Sequence, residues 1–251
     1  DDAITSFQRA VAIQPTYRSY YQLASCYLSQ ERYEDAIKSS RQSLEIRFDS
    51  EWGYLGLGRG LVGLGNFDEA EEAFERSLTL NPGATETSQE LALLYLGQER
   101  YKDAAAIIDK LEAESDSVNT YAYLKARLFY EEANTLEAIA YLRRLLEASQ
   151  EAAQTDARVL LAKCLRKEGQ IDQAYETIVH ALEQTPDDRP ALEEQLGIGT
   201  AYHLSGNAKR AERIYRACLE RMPKSEQGWQ NLAILMYDQN RFSDALSAFS
   251  K

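Results

Sequence analysis

The sequence predicts an all-α solenoid of antiparallel helix pairs. Three observations carry that reading: only 13 glycines and 5 prolines punctuate 251 residues rich in Ala, Leu, Glu and Gln, one alanine returns at a nearly fixed interval, and helix-ending residues fall at matching places between the returns. The composition favours helix throughout. Such an interval belongs to architectures that stack one small unit on the next.

The turns set the interval. Gln30-Glu31-Arg32-Tyr33 recurs as Gln98-Glu99-Arg100-Tyr101, 68 residues later, and Gly65-Asn66-Phe67-Asp68-Glu69-Ala70 stands midway. The alanine closing each turn gives Ala3, Ala36, Ala70, Ala104, Ala138, Ala174, Ala211 and Ala245, at spacings of 33, 34, 34, 34, 36, 37 and 34. Four residues on, one helical turn along the same face, stand Phe7, Ser40, Phe74, Ile108, Leu142, Ile178, Tyr215 and Phe249, large and apolar in all but one copy.

Another helix precedes each of these. Twelve residues before the alanine comes a small residue (Ala24, Gly58, Ala92, Ala126, Ala162, Gly199, Ala233), and three residues beyond it a bulky one (Tyr27, Leu61, Tyr95, Phe129, Leu165, Tyr202, Met236). Small residues at one level let two helices approach closely. Between the helices, Gly65, Gly169, Gly206 and Asn240 tolerate the left-handed conformation that ends a helix. Pro15, Pro82, Pro186 and Pro223 each stand twelve residues after a marker alanine and stop the second helix of a pair.

These positions meet in Tyr54…Leu57-Gly58…Leu61…Ala70…Phe74…Ser77…Pro82, and the pattern resembles the tetratricopeptide repeat (TPR), a 34-residue helix–turn–helix unit. The resemblance covers essentially the whole chain and implies a right-handed superhelical array. It divides the chain into the second helix of a partial repeat at 1–16, six repeats at 17–50, 51–84, 85–118, 119–154, 155–191 and 192–225, and a repeat at 226–251 that stops in its second helix. Lys125 departs from the usual Leu, Phe48 replaces a proline, and Ser77 stands for the last Ala. The extra residues near Ser149 to Thr155 contain no Gly or Pro and predict helix extension, whereas Pro186 to Pro190 predict a short rigid loop. Both ends fall inside a repeat, which reads as a segment of a longer repeat protein. A helix there without its partner is expected to expose Ile4, Phe7 and Val11 and to favour self-association through the ends.

With 28 Lys and Arg against 40 Asp and Glu, the net charge is −12. That sign disfavours nucleic acid, whose phosphates need cations. No apolar run of membrane-spanning length occurs and no basic-then-apolar leader opens the chain, so neither membrane insertion nor a signal peptide is expected. Cys26, Cys164 and Cys218 are odd in number and far apart, which suits a reducing, cytoplasmic setting, with a periplasmic one as the alternative if the chain serves a secretion machine.

Catalytic and metal chemistry find no foothold in the residues. Gly58-Arg59-Gly60-Leu61-Val62-Gly63 matches a dinucleotide-binding string, but it falls inside a helix, and Leu78 to Leu80 stand where the ribose-binding acid belongs. His180 and His203 lie in different repeats with no zinc-like ligand spacing. The cysteines take small core positions. No enzyme activity, cofactor or metal is therefore expected. The glycines from Gly53 to Gly65 weaken their helix by about 1 kcal/mol each relative to Ala. They read as close helix contacts, or as a hinge or a backbone approached by a bound peptide.

What remains is surface. Stacked hairpins expose an extended concave face, and the TPR resemblance implies that the first helix of each pair lines it. The second position of those helices supplies Trp52; the fifth, Tyr21, Leu55 and Tyr123; the ninth, Arg59, Leu93, Arg127 and Lys163; the twelfth, Tyr130 and Arg166. These ten residues form the expected partner-binding set, rich in the aromatic and Arg groups that dominate binding hot spots. Its cations, on an acidic chain, predict a protein or peptide partner with apolar anchors and acidic groups. The carboxylate clamp of chaperone-binding TPR domains is missing, since Ser25, Gly56, Arg59 and Glu90 occupy its asparagine positions, and Asn231 alone makes no asparagine ladder. The expected function is a noncatalytic scaffold for protein–protein interaction that holds an extended or helical partner segment. The alternative is a structural segment of a bacterial secretion, polysaccharide-export or pilus assembly machine.

Overall fold

The computed structural model describes residues 2–115, 117–148 and 154–251. Among them are fifteen α-helices, one 3-10 turn and no strand. Residues 1–124 form one compact unit, and residues 125–251 a second. The first holds α1 (Asp2–Ile13), α2 (Tyr17–Leu28), α3 (Tyr33–Ile46), α4 (Glu51–Gly63), α5 (Phe67–Leu80), α6 (Thr85–Gly97) and α7 (Tyr101–Glu114), then a 3-10 turn at Val118–Thr120 and the start of α8 (Ala122–Glu131). The second continues from α8 into α9 (Thr135–Ala148), α10 (Thr155–Lys167), α11 (Ile171–Gln184), α12 (Arg189–Leu204), α13 (Ala208–Arg221), α14 (Glu226–Asp238) and α15 (Phe242–Phe249). Within each unit helices pack on their chain neighbours, α2 on α3 and α4 on α5, α10 on α11 and α12 on α13. The fold class is the expected one, all-α and built from tandem antiparallel helix pairs.

Local chemistry starts and stops these helices. Thr16 and Ser19 form a capping box at α2, and the side chains of Ser50, Asp188 and Ser225 accept from the backbone N–H of Gly53, Ala191 and Gly228 at the starts of α4, α12 and α14. Each pair turns on one left-handed residue, at Gly65 (φ 77°), Gly169 (73°), Gly206 (82°) and Asn240 (60°), as the sequence predicts. Glu31 (57°), Glu99 (59°) and Ala133 (60°) do the same without any side-chain preference for it. The next residue's N–H then donates to the carbonyl of the bulky residue five back: Arg32 to Tyr27 (2.9 Å), Asn66 to Leu61 (2.9 Å), Gln170 to Leu165 (2.8 Å). This is the six-to-one bond that ends a helix at a left-handed residue.

The marker alanines Ala36, Ala70, Ala104, Ala138, Ala174 and Ala211 are fully buried, and so are the small residues Ala24, Ala92, Ala126, Ala162 and Ala233. Ala3 breaks the register: it is exposed and Ile4 takes the buried place. Ile4, Phe7 and Val11, expected on an open face, pack against Leu23 and Tyr27 of α2. At the other end Phe249 is 56% exposed, whereas Phe74, Ile108, Leu142 and Ile178 at the same repeat position have no exposed surface. Ser77 is a working departure, because its hydroxyl donates to the carbonyl of Glu51 at 3.0 Å, as Ser43 donates to Tyr17 at 2.7 Å. Pro190 lies in the first turn of α12 rather than in a loop, since proline's missing N–H costs nothing there. The expected extension near Ser149 to Thr155 falls mostly on residues 149–153, outside the described residues.

The arginine of the repeated turn ties one repeat to the previous one. Arg100 Nη1 donates to Glu71 at 2.6 Å while its guanidinium lies 4.1 Å from the centre of the Tyr95 ring, whose hydroxyl also donates to Glu71 at 2.8 Å. In the second unit Arg241 reaches Glu212 at 2.8 Å across the same 29-residue separation, and Asp172 accepts from Tyr202 (2.6 Å) and pairs with Arg210.

Candidate functional site

In the first unit the face of the leading helices is organised around Trp52. The indole stands in the first turn of α4, 44% exposed, with its ring centre 5.5 Å from that of Tyr21 on α2. Gly56 has no side chain on that side, and a Cβ there would come within 3.6 Å of the Tyr21 ring. Tyr17, Arg18, Tyr21, Gln22 and Trp52 enclose an open hollow of about 470 Å³. A second hollow of about 290 Å³ lies on the other flank of Trp52, toward Thr85, Glu86 and Thr87.

The two tyrosine phenols that line the first hollow are shifted in opposite directions. A hydrogen bond from Arg18 and a further one from Arg47 hold the Tyr17 phenol below its ordinary value. One turn along the same helix, burial and the negative charge of Glu86 push the Tyr21 phenol up. Arg18 has no carboxylate partner among the described residues, and its Nε donates to the Tyr17 hydroxyl at 3.1 Å. Arg59 instead sits between two acids, with Nη2 2.7 Å from Glu86 and Nε 2.8 Å from Glu90.

Several expected contact residues therefore change role. Leu55 is 1% exposed and belongs to the core, since the fifth position of a leading helix faces the neighbouring leading helices; Val159 and Leu196 at that position are buried likewise. Arg59 is a neutralised cation within the protein rather than a free anchor for a carboxylate. Arg166 is tied to Glu194, Nε to Oε1 at 2.6 Å, with that carboxylate side chain 3% exposed. Gly197 gives the Arg166 guanidinium room, for a Cβ there would lie 3.4 Å from it. Leu93 and Tyr123 are half-buried in the first unit.

In the second unit Arg127 and Lys163 occupy equivalent ninth positions, half-buried, with no hydrogen-bond or ion-pair partner among the described residues. Tyr130 is covered by Lys167, whose Nζ lies 3.6 Å from the ring centre. Sequence reasoning left out Tyr17, Arg18, Gln22, Glu86 and Glu90. Arg18 and Glu86 share the second position with Trp52, so a row read at that one position finds them.

Gly58 and Gly60 of the dinucleotide-like string are buried inside α4. Burial pushes the thiols of Cys164 and Cys218 up to about 11 and about 12. His203 Nε2 lies 3.0 Å from Asp238. Among the described residues no group of three or more His, Cys, Asp or Glu could hold a metal ion, and no helix is long and apolar enough to cross a membrane.

Models of the tetratricopeptide repeat family match residues 15–83, 61–128 and 129–194. The chain belongs to the tetratricopeptide repeat family. Of the curated proteins it is similar to, DnaJ homolog subfamily C member 3 of Bos taurus is 24% identical over 220 residues, 87% of this chain and 39% of that protein. This TPR chain thus spans well under half the length of that curated relative. In three dimensions it resembles a chain of the APC/C hetero-tetramer Cut9-Hcn1, with a TM-score of 0.81 at 14% identity over 94% of this chain and 46% of that one. It also resembles PilW, a type IV pilus biogenesis factor, with a TM-score of 0.71 at 23% identity over 84% of this chain and 96% of PilW. At these identities the likeness to the two structures shows the TPR fold.

Proposed function

We propose that the chain is a noncatalytic scaffold whose leading helices hold a segment of a partner protein. The observation that carries this is Trp52. An indole left 44% exposed beside Tyr21, with a hollow on each flank, has the form of the aromatic anchors on which binding energy concentrates. Arg127 and Lys163 supply cations at the ninth position of leading helices in the second unit, suited to acidic groups on the partner. A reducing, cytoplasmic setting fits two thiols whose burial leaves them protonated. The alternative role, as a spacer in a pilus or secretion machine, draws on the fold shared with PilW alone.

Affinity capture from a cell extract tests the proposal, with the parent chain, Tyr21→Ala/Trp52→Ala and Arg127→Ala/Lys163→Ala as baits. A protein retained by the parent and lost from either variant supports it. Retention by both variants contradicts it.

A further inference from the structure

Arg18, Trp52 and Glu86 are the second residues of α2, α4 and α6, one repeat apart. They form a single row across three leading helices: a guanidinium without a carboxylate partner among the described residues, an exposed indole, and a carboxylate. The charge at the far end of the row is a surplus, because Glu86 and Glu90 share one guanidinium, that of Arg59. Glu86 keeps 46% of its side chain exposed. At the near end the Arg47 guanidinium lies 4.9 Å from the centre of the Tyr17 ring but is paired with Asp49 at 3.0 Å, so the cation there without a carboxylate partner among the described residues is that of Arg18. The larger hollow, at the near end, is lined by Tyr17, Arg18, Tyr21, Gln22 and Trp52, and the smaller one, on the other side of Trp52, reaches Glu86.

We infer that this row is a polarised docking site for an extended peptide segment, with a large apolar side chain seated against the Tyr21–Trp52 pair in the hollow they line with Tyr17, a carboxylate toward Arg18 and a cationic group toward Glu86 and Glu90. The inference rests on the proposed scaffold function and refines it. It adds a cationic group to the apolar and acidic groups that the sequence leads one to expect of the partner, because Arg59, the cation expected to meet an acid here, is already held by two carboxylates. Packed helices lie about 8–10 Å apart, and an extended segment in the polyproline II conformation advances about 3.1 Å per residue with about three residues per turn, so that every third side chain faces the same way. One step along the row therefore corresponds to about three residues of ligand. The recognised pattern is an acid, a large apolar residue and a base at intervals of about three.

Three fluorescein-labelled peptides test it by anisotropy against the full chain, each with a central Phe and flanking residues three positions away: Glu and Lys, Glu and Glu, or Lys and Lys. The mixed peptide should bind tightest. Trp52→Ala should weaken it about tenfold or more, with the thermal melt of the variant establishing that the fold is intact. Arg18→Glu should move the preference to the Lys-flanked peptide, and Glu86→Lys to the Glu-flanked one. Equal binding of all three peptides, no binding of any at about 1 mM, or binding untouched by Trp52→Ala overturns the inference. If the affinity-captured protein is lost only from Arg127→Ala/Lys163→Ala, the scaffold function stands while this site falls; if no variant loses it, the function itself falls.

Discussion

Gly58 and Phe74 occupy one space: a Cβ on Gly58 would lie 2.4 Å from Cε1 of the Phe74 ring, which has no exposed surface to move into. Gly199 and Tyr215 repeat the arrangement at 2.7 Å. Where the same position holds Ile108, Leu142 or Ile178, alanine stands opposite instead, at Ala92, Ala126 and Ala162. The size of one residue therefore sets the size allowed at the other.

Gly58→Ala should accordingly destabilise the chain by about 1–3 kcal/mol through overpacking, although alanine is the better helix former by about 1 kcal/mol. Adding Phe74→Leu should recover part of the loss, a coupling that thermal melts of the two single variants and the double variant would reveal. Additive losses would mean that the ring and the glycine do not compete.

The glycines of α4 pack rather than flex. A Cβ at Gly53, Gly56, Gly60 or Gly63 would come within 2.7, 2.7, 2.7 and 2.2 Å of Leu44, Ser40, Ile37 and Tyr33, all on α3. Hydrogen exchange in α4 should then be as slow as in α10, whose helix holds no glycine. Markedly faster exchange would restore the hinge reading that the composition alone leaves open.

Turns are where the sequence was only partly legible. Gly65, Gly169, Gly206 and Asn240 announce a left-handed residue, but Glu31, Glu99 and Ala133 adopt it because the close packing of the paired helices overrides their own preference. Glu99→Gly and Ala133→Gly should each stabilise by up to about 1 kcal/mol, as relief of left-handed strain exceeds the entropy gained by the unfolded chain. Chemical denaturation measures it, and a loss of stability would show that these side chains make contacts worth more than the strain.

Acid should loosen the joints between repeats. The hydrogen bond from Arg100 holds Glu71 below the usual carboxylate range, the Tyr202 hydroxyl and Arg210 do so for Asp172, and at Glu212 Arg241 and Arg216 outweigh the opposing effect of burial. Groups with depressed values stabilise the fold above their unfolded values, near about 4, and lose that contribution as pH falls through the folded ones. Melting temperature should hold from neutral pH to about pH 5 and fall below about pH 4. In Glu71→Gln the parent should lose part of its advantage over that range; an undiminished advantage would remove Glu71 from the account.

The site was less legible than the fold for reasons visible in single residues. Trp52, Tyr21, Arg127 and Lys163 could be placed on helix faces from register alone. Leu55 could not be told from a surface residue, because burial at the fifth position depends on side-chain size: aliphatic groups such as Leu55 and Leu196 are enclosed between helices, while the longer Tyr21 reaches out. Arg59 required pairing with acids 27 and 31 residues later, partners that only the stacking of α4 on α6 brings within reach.

The central claim, that a partner segment lies on the face around Trp52, has a direct optical test. The chain has two tryptophans, Trp52 and Trp229, so Trp229→Phe leaves Trp52 as the sole indole reporter. When the captured partner binds this variant, Trp52 emission should shift to the blue and its quenching by acrylamide should fall, as an exposed ring becomes covered. Saturating binding with Trp52 emission and quenching unchanged would contradict the account.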